Sequence, residues 1–265
     1  MKQCAIDCIE AAGRTLLQHF GKISSLRQKS DFSNIVCAAD LEAEKCIIEQ
    51  LKHRYPEHNI ISEEMGHMHG NSEFTWVIDP LDGTSNFVAG IPWFGVHIGL
   101  LQNSTTILAA MYLPTNKTLY LSEKGKGVYR NGERVEVTSE TDAHNVLCSF
   151  GFDAMQNEQQ NIANVMLLQR VASGVRNTRA TNSLIDFCYT VDGRFGGCIN
   201  LNAKIWDIVP ISLMLPEAGG KITNLDGTDI VFRLDNSFAS DYPILGASVA
   251  LHSQFLALLQ RGGSC

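Results

Sequence analysis

The sequence has no apolar run long enough to cross a bilayer, which excludes a helical membrane protein. Its opening stretch, MKQCAIDCIEAAG, does not read as a signal peptide, so a cytoplasmic chain is expected. The eight cysteines, at 4, 8, 37, 46, 148, 188, 198 and 265, include no Cys-x-x-Cys pair and no accompanying histidine-rich cluster. That argues against a zinc or disulfide framework and for reduced, structural thiols. Repeats, linkers and low-complexity tracts are also missing. A basic excess is absent too: the net charge of −7 argues against a nucleic-acid-binding surface, and neither a nucleic acid nor a membrane is expected as a partner. No Ser-His-Asp or cysteine-nucleophile constellation stands out.

What remains is an ordinary globular composition, 45% hydrophobic and 18% charged, over 265 residues. That length suits one large domain or two tightly joined halves. Residues 3–20 place Ile6, Ile9, Leu16, Leu17 and Phe20 at helical spacing before Gly21. The stretch 22–36 is mixed and polar, a loop or hairpin. A second helix is expected from about Asp40 to Arg54, with Leu41, Ile47, Ile48 and Leu51 inward and Asp40 as its N-cap. Asn59–Ser62 reads as a strand ending in Glu63-Glu64, and His67 and His69 follow in a loop. Three strand-like runs, Phe94–Leu101, Thr106–Leu113 and Thr118–Ser122, precede the hairpin signal Asn131-Gly132. They predict an antiparallel sheet.

Farther on, Val146–Phe150 reads as a strand. Glu158–Ala172 reads as a helix with Ile162, Val165, Met166 and Leu168 inward. Thr181 or Asn182 is placed to cap a helix running through Val191. Phe195–Leu201 reads as a strand, and Trp206-Asp207 opens a helix in whose first turn Pro210 falls. Strands near Lys221–Thr223 and Ile244–Val249 and a helix over Leu251–Gln260 close the chain. Early antiparallel strands and later alternation suggest stacked α and β layers.

The most informative stretch is Trp76–Phe87, WVIDPLDGTSNF. The apolar run Phe74–Ile78 predicts a buried strand, and Pro80 predicts its end, since proline cannot donate to the ladder. Asp79 and Asp82 then sit three residues apart on a stiff turn. Gly83 permits a close approach, and Thr84, Ser85 and Asn86 supply hydroxyl, amide and free N–H groups. Carboxylates bind hard cations and a helix start binds phosphate. Asp-x-x-Asp-Gly is by itself only a turn signal, but the whole string is far more specific. An acidic protein that holds phosphate needs a cation to reconcile the charges.

This string resembles the first signature of the inositol monophosphatase family, magnesium-dependent and lithium-sensitive phosphatases. Ala203–Ile208, AKIWDI, resembles the second signature, and Pro216–Gly220, PEAGG, follows it as in the family. The resemblance spans the chain from near Asp40 to Gly220. It implies the layered α-β-α-β-α sandwich of the sugar phosphatases, an α+β fold. One domain over residues 1–265 is expected, with an α+β half to about 140 and an α/β half from about 141.

The resemblance also implies roles. Glu63, Asp79, Asp82, Asp207 and the Leu81 carbonyl would hold two to three Mg²⁺ ions. Asp40, Thr84 and Glu63 would orient and activate water, and Asp82, Gly83, Thr84 and Ser85 would face the phosphate. Asn182, Ser183 and Asn200 would face the leaving group. Here the pattern departs from the family: six residues before the tryptophan, inositol phosphatases commonly carry a Glu, and this chain has Asn200. Likewise RATNSLID replaces a usual Gly-Ser/Thr-Ala pattern. The implied reaction is phosphomonoester hydrolysis, with inositol-1-phosphate or a related sugar or polyol phosphate first. Histidinol phosphate, fructose-1,6-bisphosphate and nucleotide 3′-phosphate are the alternatives, and a homodimer is implied. A protein of another class, regulatory and acting through a protein partner, is the second reading.

Overall fold

The computed structural model describes residues 1–22, 26–28, 35–153, 157–235 and 237–260, with backbone alone for 26–28 and 35–36. The chain forms two compact units. One comprises Met1–Arg134, Ser183–Ile185 and Trp206–Met214, and the other Val135–Asn182, Asp186–Ile205 and Leu215–Cys265.

In the first unit the elements are α1 (Lys2–His19), β1 (Leu26–Gln28), β2 (Ile35–Cys37), α2 (Ala38–Arg54), β3 (Asn59–Ser62), β4 (Gly66–Met68), β5 (Phe74–Asp82) and α3 (Thr84–Val88). They continue with β6 (Gly95–Gln102), β7 (Thr105–Leu113), β8 (Thr118–Glu123), β9 (Val128–Arg130) and β10 (Glu133–Val135, up to Arg134). Strands β3 to β10 form one sheet in the order β10-β9-β8-β7-β6-β5-β3-β4. It is not purely antiparallel as the sequence predicts, because β3 pairs parallel with β5. A parallel pair needs a crossover, and β4 with the residues up to Glu73 supplies it. The expected loop 65–73 thus contains an edge strand: β4 pairs with β3, and the half-buried ring of His67 lies 3.8 Å from that of His69. The mixed stretch 22–36 lies partly outside the described residues, and its described strands β1 and β2 pair antiparallel.

Helices α1 and α2 pack on each other and on β5 to β7. The buried stripe of α1 is Cys4, Ala5, Cys8, Ile9, Ala12, Gly13 and Leu16. Its many small side chains let α2 approach, so small residues and not bulk define that face. Leu17, expected inward, is exposed, and so is Leu41 of α2. Asp40 is not the N-cap of α2. Cys37 holds that position, and Asp40 at N3 accepts its backbone N–H at 2.9 Å. That is the return half of a capping box.

The second unit contains β11 (Leu147–Gly151), α4 (Glu158–Ala172), β12 (Asn177–Arg179), α5 (Ile185–Val191, from Asp186 on) and β13 (Gly197–Ala203). Helix α6 (Ile205–Glu217) gives its Trp206–Met214 part to the first unit. Then come β14 (Gly220–Asn224), β15 (Tyr242–Ser248) and α7 (Val249–Gln260). The sheet order is β12-β11-β13-β15-β14, with β11 parallel to β12 and β13 and the rest antiparallel. Cys148, Phe150, Val171, Ile199, Leu245, Leu251 and Phe255 form its core, where α4 and α7 meet.

The extent of α4 matches the sequence, and Leu168 packs inward as expected, but the rest of the expected inward face does not. Ile162, Val165 and Met166 are 54%, 52% and 42% exposed, and the buried positions are Asn164 and Val171. The helix is apolar on more than one side, so periodicity alone could not choose the side that packs. In α6 the helix starts at Ile205, which puts Pro210 beyond the first turn. There it removes the hydrogen bond that residue 210 would make to the Trp206 carbonyl. The seven described cysteines are free thiols. Among the described residues no helix is long and apolar enough to cross a membrane.

Candidate metal centre

The centre grows from an irregularity in β5 of the first unit. Asp79 pairs with His97 of β6, and pairing resumes with Asp82 opposite Gly95. Three steps along β5 therefore match two along β6, which is a bulge. In a regular strand, residues three apart point to opposite faces. The extra residue turns Asp79 and Asp82 to the same side. The bulge also explains why β5 runs through Pro80 instead of stopping there: a proline is tolerated where the ladder is already broken. The Leu81 N–H donates to Asp79 Oδ1 at 2.9 Å, and the Leu184 N–H donates to Asp82 Oδ2.

The first turn of α6 adds Asp207. One carboxylate oxygen each from Asp79, Asp82 and Asp207 and one ring nitrogen of His97 all lie within 4.8 Å of one another. Asp79 is buried, and burial pushes its carboxyl well above the usual carboxylate range. The charges of Glu63, Asp82 and Asp207 push it the same way. Glu63, half-buried after β3, is thus electrostatically part of the group, and its N–H donates to the Ile78 carbonyl at 3.3 Å. Such a set is unfavourable without positive charge beside it. Its oxygen donors, with the Leu81 carbonyl, suit a hard divalent cation.

Behind this group lie two buried acids of α2. Asp40 Oδ2 accepts the Cys37 N–H at 2.9 Å and its thiol at 2.8 Å, which leaves Oδ1 toward Thr84. Thr84 Oγ1 lies 3.2 Å from Asp40 Oδ1 and 2.9 Å from the Leu81 carbonyl, and can donate to either. Glu44 Oε1 accepts from Ser62 Oγ and from the N–H groups of Glu64 and Met65 at 3.0 and 3.1 Å. It therefore fixes the turn that carries Glu63. Thr84 opens α3, whose N-cap Gly83 has φ of 82°. A Cβ there would come 2.6 Å from the Trp93 carbonyl and 3.0 Å from Ser183 Cβ, so no larger residue fits. Ser183 is buried and Ser85 is exposed.

In the second unit, Asn182 and Asn200 come together around Gly151. A Cβ on Gly151 would lie 2.9 Å from Asn182 Oδ1 and 3.6 Å from Asn200 Nδ2. Asn182 Nδ2 donates to Asp153 Oδ1 at 2.8 Å, and Asn200 Oδ1 accepts the Asn202 N–H at 2.9 Å. Asn182 has φ of 51° and precedes the start of α5 by three residues, so it is not the helix cap that the sequence suggests. Thr181 and Asn182 instead present N–H groups to Asp186, whose carboxyl burial pushes up to about 6.

Sequence reasoning missed Glu44 and His97. Glu44 lies one helical turn after Asp40, so its signal was a second acid on the same face of α2. His97 was a lone polar residue in the apolar run Phe94–Leu101. It is fully buried, which pushes its imidazolium down to about 3 and holds the ring neutral.

Comparison with known proteins places the chain. The family model described as the inositol monophosphatase family matches residues 1–263. A fructose-1,6-bisphosphatase/inositol-1-monophosphatase of Aquifex aeolicus is 33% identical, over 80% of this chain and 81% of that protein. The Nus factor SuhB of Xylella fastidiosa is 32% identical, over 92% of this chain and 88% of its own. The crystal structure of extragenic suppressor protein suhB from Bartonella henselae superposes with a TM-score of 0.90 at 27% identity, covering 98% of both chains. The fold is therefore the one that the sequence implies.

Proposed function

The chain belongs to the inositol monophosphatase family, and from that premise we propose that it hydrolyses a small phosphomonoester with the help of divalent metal, acting in the cytoplasm. The observation that carries this reading is the convergence of Asp79, Asp82 and Asp207 within 4.8 Å at the bulge. The cation proposed is Mg²⁺, as two to three ions held by Glu63, Asp79, the Leu81 carbonyl, Asp82 and Asp207. When bound, it would polarise water and offset the charge of the phosphate.

The chain's own residues would do the rest. Asp40, held by Cys37, draws the Thr84 hydroxyl proton toward itself. That leaves a Thr84 lone pair to accept a hydrogen bond from the attacking water and orient it. Glu63 is the carboxylate proposed to take a water proton. The N–H groups of Gly83 and Thr84, with Ser85, would bind phosphate oxygens. Asn182, Ser183 and Asn200 are proposed to bind the leaving group, on the match to the family's positions.

The substrate proposed first is inositol-1-phosphate or a related sugar or polyol phosphate. Histidinol phosphate, fructose-1,6-bisphosphate and a nucleotide 3′-phosphate are the alternatives within the family. Phosphate release with Mg²⁺ across these four classes, with and without LiCl, is the test. One dominant, lithium-inhibited substrate is expected. No turnover on any of them, with metal shown to bind, would overturn the enzymatic reading.

A second reading, action through a protein partner, is favoured by one observation: the exposed apolar face of α4, Ile162, Val165 and Met166. The same face supports the proposal of a homodimer.

A further inference from the structure

We propose that His97 is a direct nitrogen donor to the cation at Asp79, Asp82 and Asp207, so that the site discriminates among divalent metals differently from an oxygen-only site. This rests on the metal-site reading above.

The bulge that brings the carboxylates together also selects His97. It is the ladder partner of Asp79, and neighbouring residues paired across antiparallel strands point to the same face. Its ring nitrogen stands within the same 4.8 Å limit as the three carboxylates. Gly95, the next residue of β6 on that face, carries no side chain, so the imidazole is the only β6 group there with a donor atom. A cation held by the three carboxylates would therefore have that nitrogen within reach.

Imidazole is a softer ligand than carboxylate or carbonyl oxygen. Added to three carboxylates, it raises affinity for Mn²⁺ and the later first-row ions more than for Mg²⁺. Mg²⁺ prefers oxygen ligands at short, near-octahedral geometry. The chain should therefore bind Mn²⁺ over Mg²⁺ by a wider margin than its carboxylates alone would give.

The test is pulsed electron paramagnetic resonance on the full chain loaded with substoichiometric Mn²⁺, prepared with natural-abundance and with ¹⁵N-labelled histidine. The expected result is a ¹⁴N coupling of a directly bound imidazole that is replaced by its ¹⁵N counterpart on labelling. It should vanish in His97→Ser while Mn²⁺ still binds. Competition titrations should show the Mn²⁺-over-Mg²⁺ ratio falling by about tenfold in that variant. Bound Mn²⁺ with no nitrogen coupling would overturn the inference, leaving His97 to orient a carboxylate and the metal site standing. A coupling that persists in His97→Ser would overturn it too, since the nitrogen would come from elsewhere. Mn²⁺ that does not bind at all would overturn the metal-site reading along with it. The labelled native protein decides the first point even if the variant fails to fold.

Discussion

The carboxylate end of β5 and the amide pair around Gly151 serve the proposed reaction in different ways. At the end of β5, Asp79 and Asp82 meet Asp207 so that negative oxygen donors lie close together. Burial and mutual repulsion make that arrangement costly unless a cation is present. Around Gly151, Asn182 donates to Asp153 and Asn200 accepts from the Asn202 N–H, and neither side chain carries a charge. On the proposed reading, exchanging a carboxylate for an amide in the first place should weaken the hold on the metal. In the second, an amide for a carboxylate changes what is recognised and leaves the reaction available. Reaction type is thus proposed to lie in residues with few substitutes, and substrate choice in residues with many.

Substitution at both places would break or sharpen that contrast. Asp82→Asn removes one of three converging charges, and turnover should fall by more than about 10³-fold on every substrate. Asn200→Ala should lower kcat/KM only about tenfold, mainly through KM, with metal affinity unchanged. Asn200→Glu should move preference toward polyol phosphates by a similar factor. Steady-state kinetics on two substrates, with a metal titration for each variant, checks all three. If Asn200→Ala weakened metal binding, or lost all substrates equally, the division between the two places would not hold.

The two places also differ in how far the sequence disclosed them. The string Asp79 to Thr84 named the metal and phosphate chemistry because charge, proline and glycine fall at fixed spacing. What it could not disclose is the bulge, since the extra residue exists only relative to β6. For that reason the sequence predicts that β5 stops at Pro80 and shows His97 only as one residue of a buried strand. Asp40 looks like a cap in the sequence for a related reason: N-cap and N3 differ by only a few positions, and which residue caps α2 depends on where β2 ends. In α4 the sequence points Ile162, Val165 and Met166 inward along with Leu168, because a helix with apolar residues on two sides satisfies the periodicity either way.

Acid–base behaviour sharpens the contrast within the second unit. Asp186 is almost fully buried, and its carboxyl is raised from the ordinary 3.8 to about 6. A raised carboxyl favours the folded state while it is protonated. Stability from this group is complete below about pH 4, declines as pH rises from there to about 6, and is then flat. The loss amounts to about 3 kcal/mol. Asp186→Asn should remove that slope and be more stable than the native chain above pH 6 by an amount of this order. Denaturant unfolding at pH 4, 5, 6 and 7 measures both. Parallel pH curves for the two proteins would mean that the Thr181 and Asn182 hydrogen bonds already compensate the burial.

The smallest effect on activity is expected from α4, which carries no residue of the proposed chemistry. Ile162, Val165 and Met166 recur at three- and four-residue spacing and so form one exposed stripe. A stripe of this kind is stabilised when a second surface covers it. Val165→Glu with Met166→Glu puts charge where a second copy would pack, and burying unpaired charge is prohibitive. The native chain should sediment as a dimer and the double variant as a monomer, each with the same phosphate release per chain. A native monomer would remove self-association and leave the stripe open to a different protein, which would favour the partner-binding reading. A variant that remains dimeric would place the contact between copies on another surface.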